Sequence, residues 1–211
     1  MATPTLKPTL LAGLLAVALA SPASADLASG IAAYDAGDYL TAYRELRSLA
    51  ELGDPAAQHT IARMYFAGQG VPADSRQGIE WERKAAERGE PRAQLDLGLR
   101  YQYGLAVPRD IAAAETWYRM AAEQDLPVAQ YRLALVELYE PGPSHDLVDA
   151  HMWLNLAASK LPAGDVRTGI VTAREAVAAK MTTAQIKEAQ LRARAWKPKT
   201  WLQLSTPKAA P

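Results

Sequence analysis

Three imidazoles, those of His59, His145 and His151, are the chain's histidines. Histidine is the side chain whose ordinary titration lies near neutral pH, so a general base, a proton shuttle or a zinc ligand would be sought there first. The stretch "HDLVDAH" gathers His145, Asp146, Asp149 and His151, residue types that ligate metals. Catalysis also needs a nucleophile and a group that orients the base. No HExxH, GxSxG, P-loop or dinucleotide fingerprint accompanies these histidines. His59 reads as a partly exposed residue of a helix, Asp146 as a helix cap, and His151 as a neighbour of a core tryptophan. The expectation is therefore no catalytic site, no metal and no cofactor.

What positions these residues is a repeat. Trp81, Trp117 and Trp153 lie 36 residues apart, and Pro55, Pro91 and Pro127 keep the same step. So do Ala57, Ala93 and Ala129, then Gln58, Gln94 and Gln130, then Asp74, Asp110 and Asp146. The alanine pairs that begin at Ala85, Ala121 and Ala157 complete the register. A fixed period of this length marks a stack of supersecondary units.

Each period reads as two helices. The first opens on a capping residue and a proline, as in Asp54-Pro55 and Glu90-Pro91, because proline at the first helical position gives up an amide that has no partner there. It closes in a glycine turn such as "AGQGVPAD", where Gly68 or Gly70 suits the left-handed conformation of a helix end. Asp74, Asp110 and Asp146 are placed to cap the second helix. On that helix Gly78, Trp81 and Ala85 share one face, as do Ala114, Trp117 and Ala121. The expectation is a packing joint in which Trp81 with Ala85, Trp117 with Ala121, and Trp153 with Ala157 fill close helix crossings. Truncating such a buried tryptophan costs about 3–5 kcal/mol.

Composition bounds the rest. Apolar residues make up 49% of 211 residues, enough for a continuous core. The charge is balanced at 23 basic and 23 acidic residues, which speaks against a nucleic-acid or anionic-membrane footprint. With no cysteine there is neither a disulfide nor a lipoprotein anchor. The opening "MATPTLKPTLLAGLLAVALASPASA" has the basic residue, short apolar run and small-residue ending of a secretory signal peptide. Stable membrane insertion after its cleavage is not expected. The expected organisation is a signal peptide at 1–25, a degenerate N-terminal repeat or cap at 26–54, and repeats at 55–90, 91–126 and 127–162. Capping helices follow at 163–196, and a flexible tail at 197–211. In the third repeat "LYEPGPSHD" replaces the glycine turn, and Glu137 stands where Tyr65 and Tyr101 do.

The two central copies, "AQHTIARMYFAGQGVPADSRQGIEWERKAAERGEPRAQ" and "AQLDLGLRYQYGLAVPRDIAAAETWYRMAAEQDLPVAQ", resemble Sel-one-like repeats, relatives of the tetratricopeptide repeat. The resemblance covers about residues 30 to 160. It implies an all-α, right-handed α/α superhelical solenoid that serves as a protein-interaction scaffold, often in the bacterial envelope or in secretion. A cysteine-bearing branch of the family linked to penicillin binding or β-lactam hydrolysis does not carry over.

In such a superhelix the first helix of each pair lines the concave side. Its periodicity nominates His59, Arg63 and Phe66, then Leu95, Gln102 and Tyr103, then Tyr131, Leu138 and Tyr139 as a groove for a peptide or protein partner. The competing reading buries these residues between repeats. The expected function is an exported, non-enzymatic scaffold, periplasmic or secreted, with its partner's identity and its oligomeric state open. Two alternatives remain beside it. One is a cell-wall-related hydrolase or ligand-binding protein pointed to by His59 and Arg63. The other is a structural envelope component joined through its solenoid ends.

Overall fold

A computed structural model describes residues 26–139 and 146–205. The signal-peptide expectation, His145 and the divergent turn of the third repeat lie outside the described residues. Helices α1 (Leu27–Asp35), α2 (Tyr39–Glu51), α3 (Pro55–Ala67), α4 (Ser75–Glu87), α5 (Pro91–Tyr103) and α6 (Ile111–Glu123) are followed by α7 (Pro127–Tyr139), α8 (Leu147–Lys160), α9 (Asp165–Ala178), α10 (Thr183–Ala195) and α11 (Trp201–Ser205). From α1 to α9 each helix packs on the next, and α10 packs on α8. The result is a right-handed α/α superhelical solenoid of helix pairs. No described helix is long and apolar enough to cross a membrane.

The local chemistry follows the capping register. Asp38, Asp74, Asp110 and Asp146 stand at the N-caps of α2, α4, α6 and α8, each accepting from backbone N–H groups of the first turn. Asp54 and Glu90 do the same for α3 and α5, ahead of a proline. Left-handed Gly68 and Gly104 end α3 and α5. These caps satisfy backbone groups that a short helix would otherwise leave to water.

The core is a succession of helix interfaces. One cluster joins α2 to α3 through Ala42, Leu46, Ala50, Ile61 and Met64. The largest runs from Ala114 and Tyr118 through Leu133 and Leu154 to Ile170, Val177 and Ala193. Crossings are close enough that a Cβ at Gly78 would lie 2.6 Å from the Phe66 ring, and one at Gly98 would lie 2.4 Å from the Tyr118 ring.

A buried glutamine ties each repeat to the one before. The side-chain amide of Gln58 donates to the Ala50 carbonyl at 2.9 Å, Gln94 to Ala86 at 3.0 Å, and Gln130 to Ala122 at 3.2 Å. All three are buried. The carbonyls lie in the last turn of α2, α4 and α6, where each also accepts the N–H of a turn residue, Gly53, Gly89 or Asp125.

Two expectations need correction. The tryptophan joint is unequal: Trp153 is buried at 3% exposure, whereas Trp81 and Trp117 are half-buried. Trp81 carries the Lys84 ammonium 4.3 Å above its ring, and the position after each tryptophan, Glu82, Tyr118 and Leu154, is the one that is fully enclosed. The tail is also not free as far as Ser205. The Lys199 N–H donates to the Glu123 carbonyl at 2.8 Å, and α11 sets Trp201 against Gly89. Anchoring by a backbone hydrogen bond and an indole outweighs the local preference of a Pro- and Lys-containing stretch for irregular chain. Residues 206–211 lie outside the described residues.

Two substitutions at these joints have measurable consequences for stability. Trp153→Ala should cost about 3–5 kcal/mol and Trp81→Ala roughly half of that, read from urea unfolding midpoints. Gln94→Leu removes one of the two donors to the Ala86 carbonyl and the acceptor of the Gln124 amide, and should cost about 0.5–1.5 kcal/mol. An unfolding midpoint unchanged in Gln94→Leu would show that the glutamine tie contributes nothing to stability.

Candidate interaction face on the first helices

The nominated groove residues lie on α3, α5 and α7, and the structure sorts them by what each side chain touches. Arg63 is exposed, its guanidinium 4.9 Å from the centroid of the Tyr34 ring. Tyr103 and Tyr139, at the ends of α5 and α7, are 55% and 65% exposed. The Tyr103 hydroxyl faces Arg132 at 3.4 Å. Leu95, Tyr131 and Leu138 are half-buried and pack on the core.

Three nominations are corrected. His59 is buried, and its Nε2 lies 2.9 Å from Asp96 Oδ2, so the ring joins α3 to α5. Gln102 is buried too, accepting from the Tyr118 hydroxyl at 2.8 Å. Phe66 turns toward α4, where its ring covers Gly78, and it carries the Arg100 guanidinium 3.3 Å from its centroid. A polar side chain at a helical groove position is enclosed when the neighbouring repeat supplies a partner for it.

The same face holds a cleft of about 130 Å³ that periodicity did not single out. Tyr34 and Asp35 of α1, Thr60 and Arg63 of α3, and Glu90 and Arg92 at the start of α5 line it, with His59 at its wall, so two carboxylates face two guanidinium groups. The missed signal lay in the register: Arg92 sits where Ala56 and Val128 stand in adjacent repeats, a cation in an otherwise small or apolar column. Farther along the solenoid the surface becomes apolar. Val128 of α7 and Leu161, Pro162 and Val166 before and within α9 line a second cleft of about 480 Å³. The residues of "HDLVDAH" that are described do other work. Asp146 caps α8, Asp149 accepts from Arg192 at 2.7 Å, and buried His151 is held below its ordinary pKa by burial and by Arg174.

Charge is also placed between repeats. Glu82 of α4 accepts from Arg100 of α5 while being fully enclosed, and Arg119 of α6 donates to buried Glu137 of α7 at 2.7 Å. In both cases the partners are 18 residues apart, but acid and base exchange places. Burial pushes the Glu82 and Glu137 carboxyls up to about 7 from 4.5, with the arginine partners pulling the other way. Taking an ion out of water costs more here than the partner returns. Since the folded values lie above the unfolded ones, these groups contribute stability that is complete below the unfolded carboxyl range. That contribution is lost as pH rises through about 7. The melting temperature should therefore be higher near pH ~5 than near pH ~8, and Glu82→Gln with Glu137→Gln should flatten the difference. Equal slopes in variant and parent would show that other groups set the pH dependence.

The family model of the Sel1 repeat matches residues 55–90, 91–126 and 127–160. The chain is similar to the crystal structure of a Sel1 repeat protein from Oxalobacter formigenes, with 32% identity and a TM-score of 0.60 over 64% of this chain and 55% of that one. It is also similar to c5321, a protective antigen present in uropathogenic Escherichia coli strains that displays an SLR fold. There the identity is 26% and the TM-score 0.52, over 86% of this chain and 49% of the other. The chain thus spans about half the length of each. No curated protein matches it. Sel1 repeats generally serve as protein-interaction scaffolds. Three consecutive matched repeats, built as capped helix pairs and stacked in one solenoid, make this chain a member of the Sel1 repeat family.

Proposed function

We propose that the chain is an exported, non-enzymatic scaffold that binds a protein partner through its first-helix face, in the periplasm or outside the cell. The observation that carries this reading is the combination of exposed anchors on that face. Arg63 and Arg92 are exposed at one end, and Tyr103 and Tyr139 farther along. Aromatic and arginine side chains dominate binding energy when a partner desolvates them. The surface grades from a polar cleft beside α1 to an apolar one beside α9. An extended segment with polar residues at one end and apolar residues toward the other matches that gradient. Export rests on the signal-peptide pattern of residues 1–25.

The hydrolase alternative rests on His59, whose ring is enclosed and bonded to Asp96. Cleavage of cell-wall material by the purified protein, abolished by His59→Ala, would replace the scaffold reading.

Crosslinking in the native compartment tests the proposal directly. The parent chain should capture a protein partner, and the folded triple variant Arg63→Ala, Tyr103→Ala, Tyr139→Ala should capture at least about tenfold less. Equal capture by the two proteins would end the first-helix reading.

A further inference from the structure

The second helices carry a different surface, and the chain's own C-terminal arm is seated on it. The arm leaves α10 at Trp196, whose indole meets that of Trp153 edge to face at 6.0 Å with the Lys160 ammonium 5.4 Å from its centroid. Lys199 then binds Glu123 twice, N–H to the backbone carbonyl at 2.8 Å and Nζ to the carboxylate at 3.0 Å. Thr200 opens α11, its N–H and Oγ1 both donating to Gln203 Oε1, at 2.8 and 3.2 Å. Trp201 covers Gly89 in the turn between α4 and α5, and Leu204 enters a cleft of about 250 Å³ beside Thr116, Arg119 and Met120 of α6. The arm thus runs from the last helices back across α6 to the joint between the first two matched repeats.

The seat is shaped for this segment. Gly89 has φ +88°, and a Cβ there would fall 2.2 Å from the Trp201 ring. The equivalent turn positions, Gly53 and Asp125, face an arginine side chain and a lysine instead. The arm by itself has little to hold its shape. A helix of five residues does not persist alone in water, Leu202 is 72% exposed, and the Lys199 side chain is 46% exposed.

We propose that this arm is exchangeable, and that the seat formed by the α4–α5 turn and α6 accepts the arm of a second copy of the chain, giving an arm-swapped dimer. The second copy fits because its Lys199, Trp201 and Leu204 reproduce the contacts seen within one chain. Exchange of an identical element is a low-cost route to dimers. Within one chain the tether gives the arm an effective concentration on the order of millimolar, so the closed monomer predominates in dilute solution. The dimer grows in at high concentration, and it joins two first-helix faces in one particle.

Complementary variants of the full chain separate the two halves of the contact. Trp201→Ala with Leu204→Ala disables the arm and leaves the seat open. Gly89→Ala blocks the seat and frees the arm, and Glu123→Lys does the same by repelling Lys199, should Gly89→Ala fail to fold. Each protein alone should have the mass of one chain by light scattering. An equimolar mixture at about 100 µM, where no tethered arm competes, should contain a species of twice that mass. A mixture that stays at the single-chain mass overturns the proposal. So does a dimer that persists when both chains carry Trp201→Ala and Leu204→Ala. Arg63→Ala, Tyr103→Ala, Tyr139→Ala placed in both partners should leave the mixing result unchanged, which separates arm exchange from binding at the first-helix face.

Discussion

A glutamine amide reaching back to the carbonyl of a preceding helix sets the geometry on which everything else depends. Gln58, Gln94 and Gln130 each bond the last turn of the second helix before them. Each of those carbonyls also accepts a turn N–H, from Gly53, Gly89 and Asp125, so the glutamine adds a second donor to the carbonyl and finds a partner for its own buried amide. Because it recurs at one place in each period, it fixes how far every first helix is offset from the preceding pair. Apolar packing through alanines is forgiving of small slides, whereas a buried hydrogen bond is not. The surface presented by α3, α5 and α7 is thereby a consequence of an interaction that is itself hidden.

Much of the fold is legible in the amino-acid sequence. The 36-residue step places the helix pairs, and the Asp and Pro positions mark helix starts, because capping is a local interaction between residues two or three apart. The close crossing at Gly78 is likewise visible as a small residue on the tryptophan face. What periodicity cannot supply is the identity of the neighbour across a joint. His59 and Gln102 occupy positions that a helical wheel assigns to the groove, yet Asp96 and Tyr118 enclose them. Phe66 has the right spacing for the groove but turns toward Gly78, because that glycine leaves room for a ring. The docked arm is illegible for a related reason: Lys199 and Trp201 make contacts with Glu123 and Gly89 that no local pattern encodes.

The two faces of the solenoid divide the labour. The first helices combine exposed cations and tyrosines with a polar cleft near α1 and a more apolar one near α9. On the other side, the turn at Gly89 and part of α6 lie under the chain's own arm. A scaffold of small cores gains from such a cover, since each helix interface taken alone buries little apolar area. The same arrangement leaves the first-helix face open while the other is occupied.

The charge pairs between repeats carry a consequence for how such a gene can grow or shrink. In one joint the acid is Glu82 and the base Arg100; in the other the base is Arg119 and the acid Glu137. Loss of residues 91–126 by recombination between neighbouring copies would keep the period intact and set α4 against α7. Arg83 would then meet Glu137, but Val136 would take the place of Arg100 and leave the Glu82 carboxyl enclosed without its arginine. Without its arginine the carboxyl is either an uncompensated buried charge or a neutral acid short of a hydrogen-bond partner, and both destabilise the fold. The number and order of the units are thus guarded by electrostatics, even though their outlines are interchangeable.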